Sequence, residues 1–496
     1  MTQLFRVPGY FFITIFAVLL IASCGTTDEV RTVEDAPRTS TERTPQAAEP
    51  EERFMEITIG MIDPVDNLDP LFANNLSTMR ILSLIYDGLY TVDKNGDVVN
   101  AIASEHTASD DDLTYTITLN SDLFFHDSTV FQSGVGRRLQ AADIKWVFER
   151  TARLNVPAMA SELLMNVEGY EEYFEDQRNV YDPDRRALDG VSGITVRDSR
   201  TIEFRLLKPD EDFLKKLASP YLFIYPREAI QREGQSLKRN PAGTGAYRFQ
   251  ERTENRIILT KDNSDRLEDR LTNPRINRVD FVYHQREGQL FQDFARGNIH
   301  WLPEVGPETK RVGITSDGEL TQGYRQEYTL TSSGTRHINF YLNETQRINM
   351  NWLQNRLSDF EPASIDIENS ITIREASSAS DPDRIGEPDS FYLSTFTNDL
   401  FVRTILSQIQ EQFLEPDSEF RLSDIRTPVS RTAVFTRLSD SFHGPLTHSL
   451  RTPWFTYSST VNGLYHSDIE GIESHTTPWK LFIEHVQLDL SNEDSQ

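Results

Sequence analysis

The stretch LTYTITLNSDLFFHDSTVFQSGVGRRLQAADIKWVFER, residues 113–150, decides the fold. Leu113, Tyr115, Ile117 and Leu119 alternate with Thr114, Thr116 and Thr118. Side chains on a strand point to opposite faces at a period of two, so the alternation predicts a half-buried strand with threonines on its open face. Polar residues and glycine follow. Apolar positions then return at helical spacing with Ile144, Val147, Phe148 and Thr151. Strand, loop and amphipathic helix are thus packed into about forty residues.

Working outward, residues 54–60 alternate as a first strand and lead to Asn67-Leu68-Asp69-Pro70. A helix is predicted over 77–86, with Met79, Leu82 and Ile85 on one face. Ile85-Tyr86-Asp87-Gly88-Leu89 and Asp93-Lys94-Asn95-Gly96 then turn the chain into another strand. Downstream, residues 194–196 and 201–206 read as a hairpin around Arg197-Asp198-Ser199-Arg200. Pro241-Ala242-Gly243-Thr244-Gly245-Ala246-Tyr247 invites comparison with a phosphate loop. No Lys-Ser/Thr follows it and no helix begins there, so it reads as a tight turn into the strand carrying Tyr247 and Phe249. Val279, Phe281 and Tyr283 form a strand. Leu290, Phe291 and Phe294 form a helix that Gly297 can end. Residues 337–343 form a further strand, and a helix is expected over 399–413.

These words, in this order, resemble one family: the peptide/nickel class of extracytoplasmic solute-binding proteins that feed ABC transporters, solute-binding protein family 5. The carriers of the resemblance are N-L-D-P at 67–70, I-Y-D-G-L at 85–89, the L-T-Y-T … F-H-D … A-x-D … E-R sequence within 113–150, and P-A-G-T-G-A-Y at 241–247. It holds from about 54 to 343 and fades beyond. There the family's usual helix has only residues 351–360 as a candidate, and its Trp/Asp/Pro-rich loop has no counterpart. The resemblance implies an α/β fold of two lobes, a type II periplasmic-binding-protein fold with an extra subdomain in the first lobe. Mapped onto this chain, lobe I spans 54–306 with its subdomain at about 91–190. Residues 307–452 supply the hinge and a reduced or divergent lobe II, residues 453–490 return to lobe I, and 491–496 form a tail. No cofactor is implied. The expected partners are a small solute or oligopeptide and the ABC permease subunits in the membrane, with the chain itself expected to be a monomer.

The start of the chain reads as an address. Arg6 precedes an apolar run that ends in Ile21-Ala22-Ser23-Cys24, as in an export signal, and it is short for a membrane span, which needs about 20 apolar residues. The ending resembles a bacterial lipobox. Residues 1–23 are therefore expected to be a lipoprotein signal peptide, with Cys24 the lipidated residue that anchors the mature chain outside the cytoplasm, on the periplasmic side in a Gram-negative cell. Residues 24–53, rich in Thr, Pro and Glu, are expected to form a flexible tether, because a segment with so little apolar surface cannot offset its ordering entropy.

Composition narrows the remaining choices. A chain of 496 residues with 38% hydrophobic content can bury cores in more than one domain. A formal charge of −27 argues against a nucleic-acid partner, since polyphosphate would be repelled. Cys24 is the single cysteine, so neither a disulfide framework nor a cysteine zinc site can form. Phe125-His126-Asp127 follows a strand rather than sitting on the helix that an HD-type phosphohydrolase needs. His443, His448, His466 and His475 match no helical ligand pair, and no Gly-x-Ser-x-Gly elbow exists. No catalytic and no metal-binding residue is therefore assigned, and the chain reads as a binder. Its rivals are the same fold used as a ligand sensor or envelope scaffold, favoured by a neighbouring signalling gene, and an envelope hydrolase, which would turn over an ester, peptide or glycan.

Ligand contacts are expected from two places. Asn339, Tyr341 and Asn343 alternate with Ile338, Phe340 and Leu342, and a polar face on such a strand must meet solvent, a cleft or a partner. Trp454 and Tyr457 lie where the chain should return to the first lobe. Aromatic walls with a few polar groups are what a solute cleft requires.

Overall fold

The structure, a computed structural model, describes residues 55–231, 236–262, 274–342, 369–373, 393–395, 399–413, 420–422, 434–437 and 455–488. The expected leader, Cys24, the tether, the candidate helix at 351–360, Asn343, Trp454, His443 and His448 lie outside the described residues.

The predicted strand is present as Thr114–Leu119, with Tyr115, Ile117 and Leu119 buried and the threonines half-buried between them. It pairs antiparallel with Ala103–Ala108 on one side and Thr201–Arg205 on the other, and Ile194–Val196 closes a four-stranded sheet. The hairpin predicted around 197–200 is the pair Ile194–Val196 and Thr201–Arg205, so this small sheet takes two of its strands from beyond residue 190. The Ala141–Arg150 helix buries Ile144, Val147 and Phe148 against it. The A-x-D motif opens that helix. The Asp143 carboxylate accepts the Gln140 backbone N–H at 3.0 Å and is gripped by both Arg137 guanidinium nitrogens at 2.6 and 2.7 Å.

The larger sheet has eleven strands. Its first-lobe half is built on Glu56–Met61, which runs parallel to Arg278–Tyr283 and to Trp301–Leu302; Arg256–Lys261 and Tyr247–Arg252 extend the edge. Its second-lobe half contains Leu393–Thr395 lying parallel between Val434–Arg437 and Phe420–Leu422. The Leu400–Phe413 helix lies between Leu393–Thr395 and Phe420–Leu422 in the chain and is their crossover, since parallel strands cannot be joined by a tight turn. Two long antiparallel strands, Tyr328–Leu342 and Phe455–His466, join the halves. At one end Leu302 pairs with Leu464; at the other Tyr341 pairs with Phe435. These are the segments that cross between the lobes of the two-lobe, type II binding-protein fold.

Two features depart from the sequence reading. The Leu76–Ile85 helix, expected to bury one face, is buried nearly all round, with nine of its ten residues inside, Arg80 among them. A helix enclosed on every side is a core element rather than a surface one. The strand predicted over 337–343 begins at Tyr328 and contains a bulge between Ser332 and Thr335. Gly334 sits there with φ +85°, and a Cβ on it would lie 2.3 Å from the Thr476 carbonyl oxygen, so only glycine fits. Beyond the bulge, Arg336 and Ile338 are both fully buried.

Candidate functional site: a pocket between the sheet halves

A pocket of about 730 Å³ opens between the two halves of the large sheet. One wall comes from Ile62, from Tyr283–Gln292 and from the Pro307–Gly313 helix; the facing wall comes from Leu400, Arg403, Thr404 and Gln408. The local sequence explains the wall. In the Glu287–Ala295 helix, Leu290 and Phe294 are buried, which leaves Gln289 and Gln292 to the open side. The Glu287 carboxylate accepts the backbone N–H groups of Glu308 at 3.1 Å and Thr309 at 2.7 Å, tying the two helices together. Burial raises the Glu287 carboxyl above the usual carboxylate range.

A buried charge cluster lies directly behind that wall. Glu304 receives Arg80 Nη1 at 2.8 Å and also pairs with Arg336 Nη2. Arg336 Nη2 lies 3.4 Å from Asp399 Oδ2, and its guanidinium stacks 4.4 Å from the centroid of the Phe401 ring. Asp399 caps the Leu400–Phe413 helix, accepting the Phe401 and Val402 N–H groups at 2.9 and 3.1 Å. Asp63, which follows the first strand, accepts the Leu400 N–H at 2.7 Å. Five charged side chains, each no more than 2% exposed, thus join both halves of the sheet. Burial, then Asp399 and Glu304, pushes the Asp63 carboxyl well above its ordinary range; burial likewise raises Asp399. Burial opposes ionisation of Glu304 too, but Arg336 and Arg80 outweigh it and hold that carboxyl low.

The residues of the sequence reading fall in different places. Asn339 pairs with Thr456 and Arg437, and Tyr341 with Phe435, on the crossing strand. Tyr457 is the register partner of Ile338, so its position alternates with those of Asn339 and Tyr341. The pocket residues Arg286, Arg311 and Arg403 were not anticipated. A signal for part of the wall existed: Gln285, Gln289 and Gln292 recur at helical spacing opposite the apolar positions. What they face is a matter of tertiary structure.

The Gly243/Gly245 turn is structural. A Cβ on either glycine would lie 2.0 or 2.4 Å from the carbonyl oxygens of Ile85 and Leu84, so the loop packs against the end of the buried helix. His126 braces it. Its Nε2 meets the Gly245 carbonyl at 2.7 Å and its Nδ1 accepts the Gly243 N–H at 3.3 Å, a pattern that the neutral ring with its proton on Nε2 satisfies. His466 Nε2 lies 2.8 Å from the Phe294 carbonyl oxygen. Burial, with Arg80 and Lys480 adding, pushes His475 down to about 4. Among the described residues no group of three or more His, Cys, Asp or Glu side chains is placed to hold a metal ion. No helix among them is long and apolar enough to cross a membrane.

Comparison with known proteins fixes the family. The family model for the middle region of the bacterial extracellular solute-binding proteins, family 5, matches residues 97–361. The chain belongs to this family. It is similar to the glutathione-binding protein of Salmonella typhi, 25% identical over 215 residues, which are 43% of this chain and 36% of that protein. The corresponding protein of Escherichia coli O1:K1 is 26% identical over 192 residues, 31% of its length. The chain thus matches about a third of the length of these curated relatives. Solved structures extend the likeness of fold. The murein tripeptide binding protein of Escherichia coli superposes with a TM-score of 0.60 at 13% identity, over 88% of this chain and 99% of that one. The OppA protein of Haemophilus influenzae in complex with the peptide RPPGFSPFR gives 0.62 at 13% identity, over 88% and 99%.

Proposed function

We propose that this family 5 protein is the lipid-anchored extracytoplasmic receptor of an ABC importer and that it closes about an oligopeptide. The observation that carries the reading is the pocket itself, walled by Ile62, Tyr283–Gln292 and the Pro307–Gly313 helix on one side and by the Leu400–Phe413 helix on the other. A solute touching both walls favours the closed state by its differential affinity for the two states, and the closed form is what a permease would recognise. Glutamines along the wall suit a peptide backbone, because each amide both donates and accepts. Asn339, Tyr341, Asn343, Trp454 and Tyr457 are proposed as further ligand contacts.

The test is a thermal-shift series on the full chain with mixed di- to pentapeptides, sugars and divalent metal ions. Binding to the native state alone raises the melting temperature by mass action, and peptides are expected to raise it. A shift with sugars or metals and none with peptides would overturn the peptide assignment. For the anchor, Cys24→Ser is expected to release the chain from membranes, and retention of a variant whose leader is still cleaved would refute it.

A further inference from the structure

The charge of the pocket narrows the solute further than its shape does. Arg286, Arg311 and Arg403 reach the same cavity from three elements: the approach to the Glu287–Ala295 helix, the Pro307–Gly313 helix and the Leu400–Phe413 helix. Among the described residues none of their guanidinium groups makes an ion pair or a hydrogen bond, and the Nε of Arg403 is buried without a partner. Arg80, Arg137, Arg150 and Arg336 each grip a carboxylate. Two carboxylates share the pocket wall with the three arginines. Glu287 is spent on the Glu308 and Thr309 backbone N–H groups, and Glu308 is exposed. Asp63 and Asp399 lie behind Leu400, engaged with the helix N-terminus and Arg336. The cavity is therefore a locally cationic pocket in a protein of net charge −27. Such a reversal of sign focuses the field on an anion and away from a cation.

We infer that the solute is anionic, with carboxylates held by Arg286, Arg311 and Arg403 across the two walls; on the proposed peptide reading, this makes it an acidic oligopeptide. The planar guanidinium fork matches a carboxylate with two parallel N–H···O bonds, which an ammonium or an amide cannot do. Arg286 and Arg311 stand on one wall and Arg403 on the other, so one anion-bearing solute can engage both. Each such pair strengthens as closure removes water from between the charges. The inference rests on the pocket being the solute site and deepens that reading.

The experiment is isothermal titration of the full chain at low salt with triglutamate, trialanine, trilysine and the non-peptide tricarboxylate tricarballylate. Triglutamate is expected to bind at least about tenfold more tightly than trialanine, with trilysine weakest and the preference shrinking as salt rises. Arg403→Gln and Arg311→Gln should each cost triglutamate about tenfold, about 1.4 kcal/mol, and cost trialanine, which carries only its C-terminal carboxylate, less. Arg403→Lys should restore only part of the loss, because charge returns without the fork. Melting curves of the variants confirm that they are folded. Equal binding of the three peptides, or loss-free Gln variants, would overturn the anionic assignment while leaving the peptide reading standing. Tricarballylate binding without any peptide binding would uphold the charge and overturn the peptide. Failure of both anions to bind overturns the inference.

Discussion

Arg150 ends the helix of the 113–150 stretch and finds its partner 81 residues upstream. Its guanidinium meets the two oxygens of Asp69 at 2.9 and 2.5 Å and the Tyr225 hydroxyl at 2.6 Å, all in the interior. Asp69 in turn accepts the Leu71 N–H at 3.2 Å, capping the short turn at Pro70–Phe72. The E-R that ends one motif and the L-D-P of another are therefore two halves of a single buried contact. Removing one partner of such a pair strands a charge in the interior. Arg150→Ala is expected to destabilise the fold by about 3–5 kcal/mol. Equilibrium urea unfolding measures this, and a loss below about 1 kcal/mol, the size of an exposed pair, would show that water reaches Asp69.

At the scale of elements, the Glu287–Ala295 helix shows how one segment serves core and pocket at once. Its apolar side is sealed by Phe294, whose ring lies 4.8 Å from Tyr328 and 4.5 Å from His466. Its other side carries the glutamines and Gly288 to the cavity. A Cβ on Gly288 would meet nothing within 4 Å, so a large side chain there can enter the pocket without displacing backbone. Gly288→Phe is expected to abolish solute binding in calorimetry. Its melting temperature should equal or exceed that of the parent, because glycine is a poor residue inside a helix. Undiminished binding in this variant would place the solute elsewhere. The amphipathic face was legible from spacing; the pocket was not, because its second wall comes from a helix more than a hundred residues later in the chain.

For the whole molecule, the cluster of Asp63, Arg80, Glu304, Arg336 and Asp399 is where the two halves of the sheet are tied. Asp63 is the weak member. One of its oxygens takes the Leu400 N–H, while the other is buried with no hydrogen-bond partner among the described residues. Burial and the neighbouring carboxylates raise its folded-state pKa above the unfolded value, so its contribution to stability is fullest in acid and is lost as pH rises through the folded value. Asp63→Asn keeps the acceptor for Leu400 and removes the charge. The variant is expected to melt above the parent at pH 7, with the difference closing as pH falls towards the ordinary carboxylate range. A variant that melts several degrees lower at pH 7 would show Asp63 to be an indispensable anion for Arg336.

The sequence alone determined the parts that repeat locally: the 113–119 alternation, the helix after Gln140, the 194–205 hairpin and the helix from Leu400. Periodicity reports which face of an element is apolar, and the motif words identified the family from the same residues. Tertiary structure decided what those faces meet. Arg80, Arg336 and Asp399 look like ordinary surface charges in sequence, and only the convergence of distant elements puts them inside together. Arg286, Arg311 and Arg403 are separated by up to 117 positions, and no local pattern marks three cations that share one cavity. A charge's partner is set by distance in space, which the chain order does not encode.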